Sequence, residues 1–290
     1  MNNLKKKFFK EGYLYKFRAI SQNDAKNILK EFDDNYQNQN NYLKDEMNFR
    51  PDLMFRSMHD LVYNKNITDV VKKILGPKIV SWYSLLFYKR KKKFVSFHQD
   101  LKYWQFKNDN CLTVSLALSP STLSNGCLHV IKSSHKSLYH HERSLLDKDN
   151  LLARNQVVDT SKLSTPIPFI LKPGEFSVHH GNILHGSYIN KTIKPRVLYA
   201  IRYASYDNPS KIYKYARFLF ENKNKNKNYL PLPPIKKNFD KKSLKIRENL
   251  LQKTISHQMR GKNIRFLNLF EFIYTSFLFR RLFYFFNSLK

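Results

Sequence analysis

His98 and Asp100, in the run Phe97-His98-Gln99-Asp100, have the types and spacing to build a reactive centre. A second stretch further along, Gly181-Asn182-Ile183-Leu184-His185-Gly186-Ser187, must be read with them. Residues i and i+2 of an extended strand point to the same face, so an imidazole and a carboxylate at this spacing can converge on one metal ion. His185 offers a third ligand, and His179 and His180 lie close enough in sequence to compete for that place. Two imidazoles and one carboxylate on one face of an octahedron leave the opposite positions open, the arrangement by which non-haem Fe(II) oxygenases take a co-substrate and O2 side by side. A hydrogen-bonded histidine-aspartate pair at a strand end has the same sequence, so the surrounding text has to decide.

The elements needed to position such a site are legible. Residues 12 to 20 alternate weakly and read as a strand; Ser21-x-x-Asp24 resembles a capping box opening a helix through Ala25, Ile28, Leu29 and Phe32. Further helices are expected over Leu53 to Tyr63 and from Ile67 to Leu75, the latter opened by Asn66 and closed by Gly76-Pro77. From Lys78 onward, short β-branched and aromatic runs near 80–89, 94–98, 111–118, 127–132, 167–172, 175–179 and 195–205 have the spacing of a β-sandwich or jelly roll. The span from Ser133 to Thr165 is long enough to be a lid or substrate loop. Asn35 to Asn41 reads as a polar connection, Asn222 to Asn228 as a low-complexity surface loop, and Ser243 to Ser256 as a helix.

Composition limits the function classes. A chain of 290 residues with 42% hydrophobic content makes one large domain, or a domain with an extension. Two cysteines, Cys111 and Cys127, give no disulfide framework, and the basic start Met1 to Lys10 lacks the apolar region of a secretory signal, so the expected location is cytoplasmic. The formal net charge of +30 raises the question of nucleic acid or anionic membranes. The lysines are scattered, glycines number only seven and no recognition motif accompanies the charge, so it reads as compositional drift; a basic surface still steers anionic substrates. The aromatic tail from Ile264 to Lys290 has no apolar stretch long enough to span a bilayer; it reads as packing against the domain or a sister subunit, or as an amphipathic helix on a membrane surface.

The run Phe94 to Asp100, then Tyr103-Trp104, Leu116 to Ser119, Asn125-Gly126-Cys127 and Ser134-His135-Lys136, continues into His179-His180-Gly181, His185-Gly186-Ser187, Asn190 and Arg196. In order and spacing it resembles the phytanoyl-CoA dioxygenase family of Fe(II)/2-oxoglutarate oxygenases, over roughly residues 10 to 255. The resemblance implies a fold that is mainly β with flanking helices, a double-stranded β-helix (jelly roll, cupin-like). The domain would occupy 1–255, with N-terminal helices and a core at about 78–206, followed by a helical extension at 256–290 that the resemblance does not cover. It implies His98, Asp100 and His185 as metal ligands, since only His185 is followed by both Gly-Ser and an arginine at the family offset. That arginine, Arg196, would bind the distal carboxylate of 2-oxoglutarate in two parallel charge-assisted bonds. Ser187, Lys89 and Thr113 are candidate partners of the same co-substrate, and Tyr103, Trp104 and Arg202 candidate pocket residues. Asn125-Gly126 matches a structural turn of the family, while Ser133-Ser134-His135 and the region after Ala216 depart from its pattern.

With Fe(II), 2-oxoglutarate and O2, the implied reaction is hydroxylation of an aliphatic C–H of a small, anionic metabolite, by a monomer or homodimer. Related halogenases carry a small residue in place of Asp100, and a carboxylate there leaves no position for halide. Two alternatives are a silent jelly-roll binding module, held to a membrane or complex by the tail, and a nucleic-acid dealkylase. The second family has Arg-x-Asn-x-Thr-x-Arg where this chain keeps Arg196 and Arg202 but has Leu198 and Ala200 between them.

Overall fold

The longest apolar runs of the chain become the central strands of a large antiparallel sheet. The computed structural model describes residues 3–37, 46–143, 147–152, 155–221 and 228–259. In chain order the strands are β1 (Tyr13–Arg18), β2 (Ile79–Lys89), β3 (Val95–His98), β4 (Cys111–Ala117), β5 (Leu128–Val130), β6 (Glu142–Arg143), β7 (Gln156–Val157), β8 (Ile167–Phe169), β9 (Glu175–His180), β10 (His185–Ser187), β11 (Arg196–Ser205), β12 (Tyr215–Phe218) and β13 (Leu230–Pro231). Seven of them form a sheet of order β1-β9-β4-β11-β2-β12-β13, antiparallel except for the β12/β13 edge pair. A smaller antiparallel sheet has the order β3-β10-β5-β8, and β6 pairs with β7.

The inner faces of the two sheets share one core: Ala117 and Leu198 of the large sheet pack with Leu128, Val130 and Phe169 of the small one. This is the expected double-stranded β-helix. β11 is buried along almost its whole length because its outer face is covered too. The helix Arg56–Val62 lies there, with the hydroxyls of Tyr199 and Tyr203 donating to the carbonyls of Met58 (3.2 Å) and Val62 (2.8 Å). A strand covered on both faces reads as continuous apolar sequence, which is why Arg196 to Ser205 shows no polar alternation.

The segment before β2 is fastened by a buried charge knot. Asp52 accepts from Nε and Nη2 of Arg50 (both 2.8 Å), from Nε of Arg217 on β12 (2.8 Å) and from Ser84 Oγ on β2 (2.5 Å). Burial opposes its charge, but the two guanidinium groups hold its carboxyl far below the usual carboxylate range.

Helix starts largely follow side-chain chemistry. The helix Gln22–Gln37 is preceded by Ser21, whose Oγ accepts from Asp24 N (3.0 Å) and donates to the Asp24 carboxylate (2.7 Å). Helix Lys65–Leu75 is capped by Asn64, which accepts from Ile67 N (3.2 Å), and not by Asn66, whose amide is turned to Ala19 O (2.9 Å). The basic N-terminal run forms a helix, Asn3–Glu11. Within the described part of 133–165, β7 runs beside β3, and Val158 N donates to Phe97 O (2.8 Å). Asn35 to Gln37 of the expected polar connection end the helix Gln22–Gln37 instead; its residues 38–41, 222–227 of the low-complexity loop and the tail 264–290 lie outside the described residues. Contacts divide the chain between Ser243 and Leu244, and the helix Lys241–Met259 begins at that division. No described helix is long and apolar enough to cross a membrane. Cys111 and Cys127 are both buried free thiols.

Candidate metal centre

His98 closes β3 and His185 opens β10, and the two are direct partners in the antiparallel ladder, with ring centroids 4.3 Å apart. Asp100 follows where the chain leaves β3 and turns into the single helical turn Leu101–Trp104. One ligand atom from each of the three lies within 4.8 Å of the others. The Nδ1–H of His98 donates to Ser96 O (2.9 Å) and that of His185 to Ile183 O (3.0 Å). Each bond leaves the Nε2 lone pair facing the Asp100 carboxylate, at 3.5 and 3.7 Å.

Burial, then the neighbouring His98, pushes the His185 pKa down to about 4, so it is neutral at pH 7. Burial opposes the charge of Asp100, yet Arg202 and the two imidazoles keep its carboxyl well below its ordinary range. Two imidazole nitrogens and an anionic oxygen brought this close suit a divalent cation, and the N2O donor set fits Fe(II). Of the competing histidines, His179 lies beside His185, with centroids 4.8 Å apart, but is not in the converging set. His180 is engaged elsewhere: its Nδ1 accepts from Asn182 N (3.0 Å) and its Nε2 faces Asp109 at 3.5 Å.

The β2/β11 ladder places Arg196 opposite Lys89, and both are buried. Arg196 has no carboxylate partner among the described residues, and its Nε lacks any hydrogen-bond acceptor there. Burial lowers its pKa to about 10. Lys89 Nζ donates to Gly126 O (2.6 Å), Tyr188 O (2.5 Å) and Ser187 Oγ (2.9 Å); burial, then repulsion from Arg196, pushes it down to about 6. Thr113 Oγ1 is likewise buried without a partner among the described residues. A buried guanidinium with donors to spare calls for an anion, and a carboxylate matches its planar fork.

These groups line one cavity. Its walls carry His98, Asp100, His185, Arg196, Thr113 and Ser187, with apolar sides from Phe87, Leu128 and Leu198. About 430 Å3 there is not filled by protein atoms, open solvent at its mouth included. Gly126 supports it from behind, because a Cβ there would lie 2.1 Å from Tyr188 O and 2.4 Å from Lys89 Nζ, at a φ of 68°. Gly126→Ala is therefore expected to destabilise the fold by about 1–3 kcal/mol and to weaken 2-oxoglutarate binding, measured by thermal unfolding and titration.

Arg202 also lines the cavity, donating from Nη2 to Asp100 Oδ2 (3.2 Å), with its guanidinium over the rings of Trp104 (4.6 Å) and Tyr83 (4.9 Å). Trp104 thus supports Arg202 and packs on Trp82 (4.9 Å); neither it nor Tyr103, which faces His141 at 5.6 Å, is among the lining residues. Sequence reasoning passed over Gln99. Its Nε2 donates to Ser137 O (2.8 Å) and Asn182 O (2.6 Å), and its Oε1 accepts from Tyr139 N (2.9 Å). It ties the ligand-bearing turn to two loops. Period-two alternation was the available signal, since the residue between two ligands must point away from them.

Several known proteins are similar to this chain. The model of the phytanoyl-CoA dioxygenase (PhyH) family matches residues 9–198. A probable alpha-ketoglutarate-dependent hypophosphite dioxygenase of Stutzerimonas stutzeri is 26% identical over 166 residues, 54% of this chain and 56% of that protein. A phytanoyl-CoA dioxygenase of Arabidopsis thaliana is 29% identical over 110 residues, 38% of each chain. The chain thus spans about half the length, or less, of these curated relatives. Among solved structures, the non-heme monooxygenase ThoJ in its apo form superposes with a TM-score of 0.76 at 20% identity, covering 88% of this chain and 97% of that one. CytC3 with Fe(II) and alpha-ketoglutarate gives 0.55 at 19% identity, covering 72% and 79%. The two structural likenesses establish the fold, and the family match over most of the jelly roll makes this chain a member of the phytanoyl-CoA dioxygenase family.

Proposed function

We propose that this chain is an Fe(II)- and 2-oxoglutarate-dependent dioxygenase that hydroxylates an aliphatic C–H of a small anionic metabolite, with succinate and CO2 as co-products. The observation that carries the reading is one cavity holding both the His98, Asp100, His185 cluster and the buried, acid-free guanidinium of Arg196. His98, Asp100 and His185 would hold the metal. When bound, Fe(II) supplies, with O2 and 2-oxoglutarate, the oxidising chemistry that amino-acid side chains lack.

The chain's own residues bind, orient and exclude water. Arg196 takes the distal carboxylate of 2-oxoglutarate, and Thr113 and Ser187 offer hydroxyls beside it. Lys89 keeps Ser187 in place and adds a second positive centre when an anion enters. Arg202 fixes the rotation of the Asp100 carboxylate through a bond clamped by aromatic faces. Phe87, Leu128 and Leu198 keep the inner cavity dry. The choice of hydroxylation rests on Asp100, a carboxylate where a halogenase would need room for halide. After the metal dication, the 2-oxoglutarate dianion, Asp100 and the two arginines are counted, positive charge remains, which favours an anionic substrate. In this reading 1–255 is the catalytic domain and 256–290 an extension, and the buried thiols suit a reducing cytoplasm.

Anaerobic addition of Fe(II) and then 2-oxoglutarate to the purified protein should give a weak visible charge-transfer band. Arg196→Lys should raise the 2-oxoglutarate concentration needed for half the band by roughly 10–100-fold, because an ammonium cannot make the paired bonds. A folded wild type that forms no band would leave the silent-module reading in its place.

A further inference from the structure

Three loops meet at one edge of the jelly roll, and their exposed tips do not line the cavity. They are 90–94 between β2 and β3, 118–127 between β4 and β5, and 188–195 between β10 and β11. Backbone bonds join them: Lys92 N to Asn190 O (2.9 Å), Asn190 N to Lys93 O (3.0 Å) and Lys191 N to Ser124 O (3.0 Å). The buried Asn190 side chain pins the arrangement by donating to the carbonyls of Lys89 (2.9 Å) and Lys194 (3.0 Å). The platform is therefore ordered, and its tips are apolar. Ile193 is 87% exposed, Leu123 58%, Tyr188 53% and Ile189 49%. These are four of the nine large hydrophobic side chains exposed among the described residues, gathered on two adjoining loops. Two of the three loops also carry Lys91, Lys92, Lys191 and Lys194, all exposed and without an ion pair among the described residues.

We propose that this edge docks the protein on an anionic lipid surface, with Leu123, Tyr188, Ile189 and Ile193 entering the headgroup boundary and the four lysines meeting lipid charge. Exposed apolar tips and lysines on adjoining loops are the composition that an interface rewards twice, by burial and by attraction to anionic headgroups. A second copy of the chain would bring the same lysines against these and be repelled. Single-stranded nucleic acid would use the lysines, but of the four tips only Tyr188 has a ring on which a base could stack. The loops lie apart from the undescribed tail in sequence, so the proposal does not depend on it, nor on the activity proposed above.

Co-sedimentation of the full chain with phosphatidylcholine vesicles, with and without about a third phosphatidylserine, tests it. Binding is expected only with phosphatidylserine and should weaken as salt rises. The exposed pair I189S/I193S should reduce partitioning by roughly tenfold, and K91Q/K191Q/K194Q by a similar factor, with unfolding temperature and the charge-transfer band unchanged. Equal binding to neutral vesicles, no binding at all, or wild-type partitioning by I189S/I193S would each overturn it; the last would assign binding to the tail or to diffuse charge.

Discussion

Asp100→Ala is expected to lower Fe(II) affinity by at least about a hundredfold and to abolish turnover, since losing even an outer-sphere partner of a metal site costs 10–100-fold. His98 and His185 stay in place in that variant, held by Ser96 O and Ile183 O, so the loss isolates the oxygen donor. The same change strips Arg202 of its only ion-pair partner among the described residues. Asp100→Asn separates the two effects: it keeps the shape and an acceptor for Arg202 but gives up the anionic charge. Competition with a coloured Fe(II) chelator under anaerobic conditions measures both variants. Wild-type affinity in a folded Asp100→Ala protein would show that the three residues are not a metal site.

Asp52→Ala should cost about 3–5 kcal/mol of stability, the range for breaking a buried ion pair from one side. Here one carboxylate serves two buried guanidinium groups, Arg50 and Arg217, so both are left uncompensated in a dry interior. The corresponding fall in unfolding temperature is on the order of 10 °C for a unit of this size. Because folding holds the Asp52 carboxyl below its ordinary range, its contribution is complete above the unfolded pKa and fades as pH falls below it. In Asp52→Ala that part of the acid sensitivity should disappear. A loss under about 1 kcal/mol would mean the knot is dispensable. Such a result would also separate structural from chemical damage, since the knot shares no residue with the cavity.

The sequence by itself determined most strands of the jelly roll, though not β10, together with the Ser21 helix start and the identity of the candidate ligands. Each of these is local. Period-two alternation, turn residues and a His-x-Asp spacing are written in neighbouring positions, because a strand presents residue i and i+2 together whatever the rest of the chain does. The N-terminal helix and the β12 and β13 edge strands were less legible. These elements are short, and for the two strands edge pairing, β12 to β2 and β13 to β12, decides the conformation.

Only the tertiary structure decided which histidine faces Asp100. On paper His185 differs from His179 and His180 only by the Gly-Ser and the arginine that follow it; ladder register is what sets it opposite His98 and turns His180 toward Asp109. It also moved Trp104 from the pocket wall to a support beneath Arg202, and showed that Arg196 is buried opposite Lys89 with no acid to meet it among the described residues. These are facts of long-range pairing. Burial and the absence of a counter-charge depend on every strand that closes around a side chain, and no window of sequence contains them all.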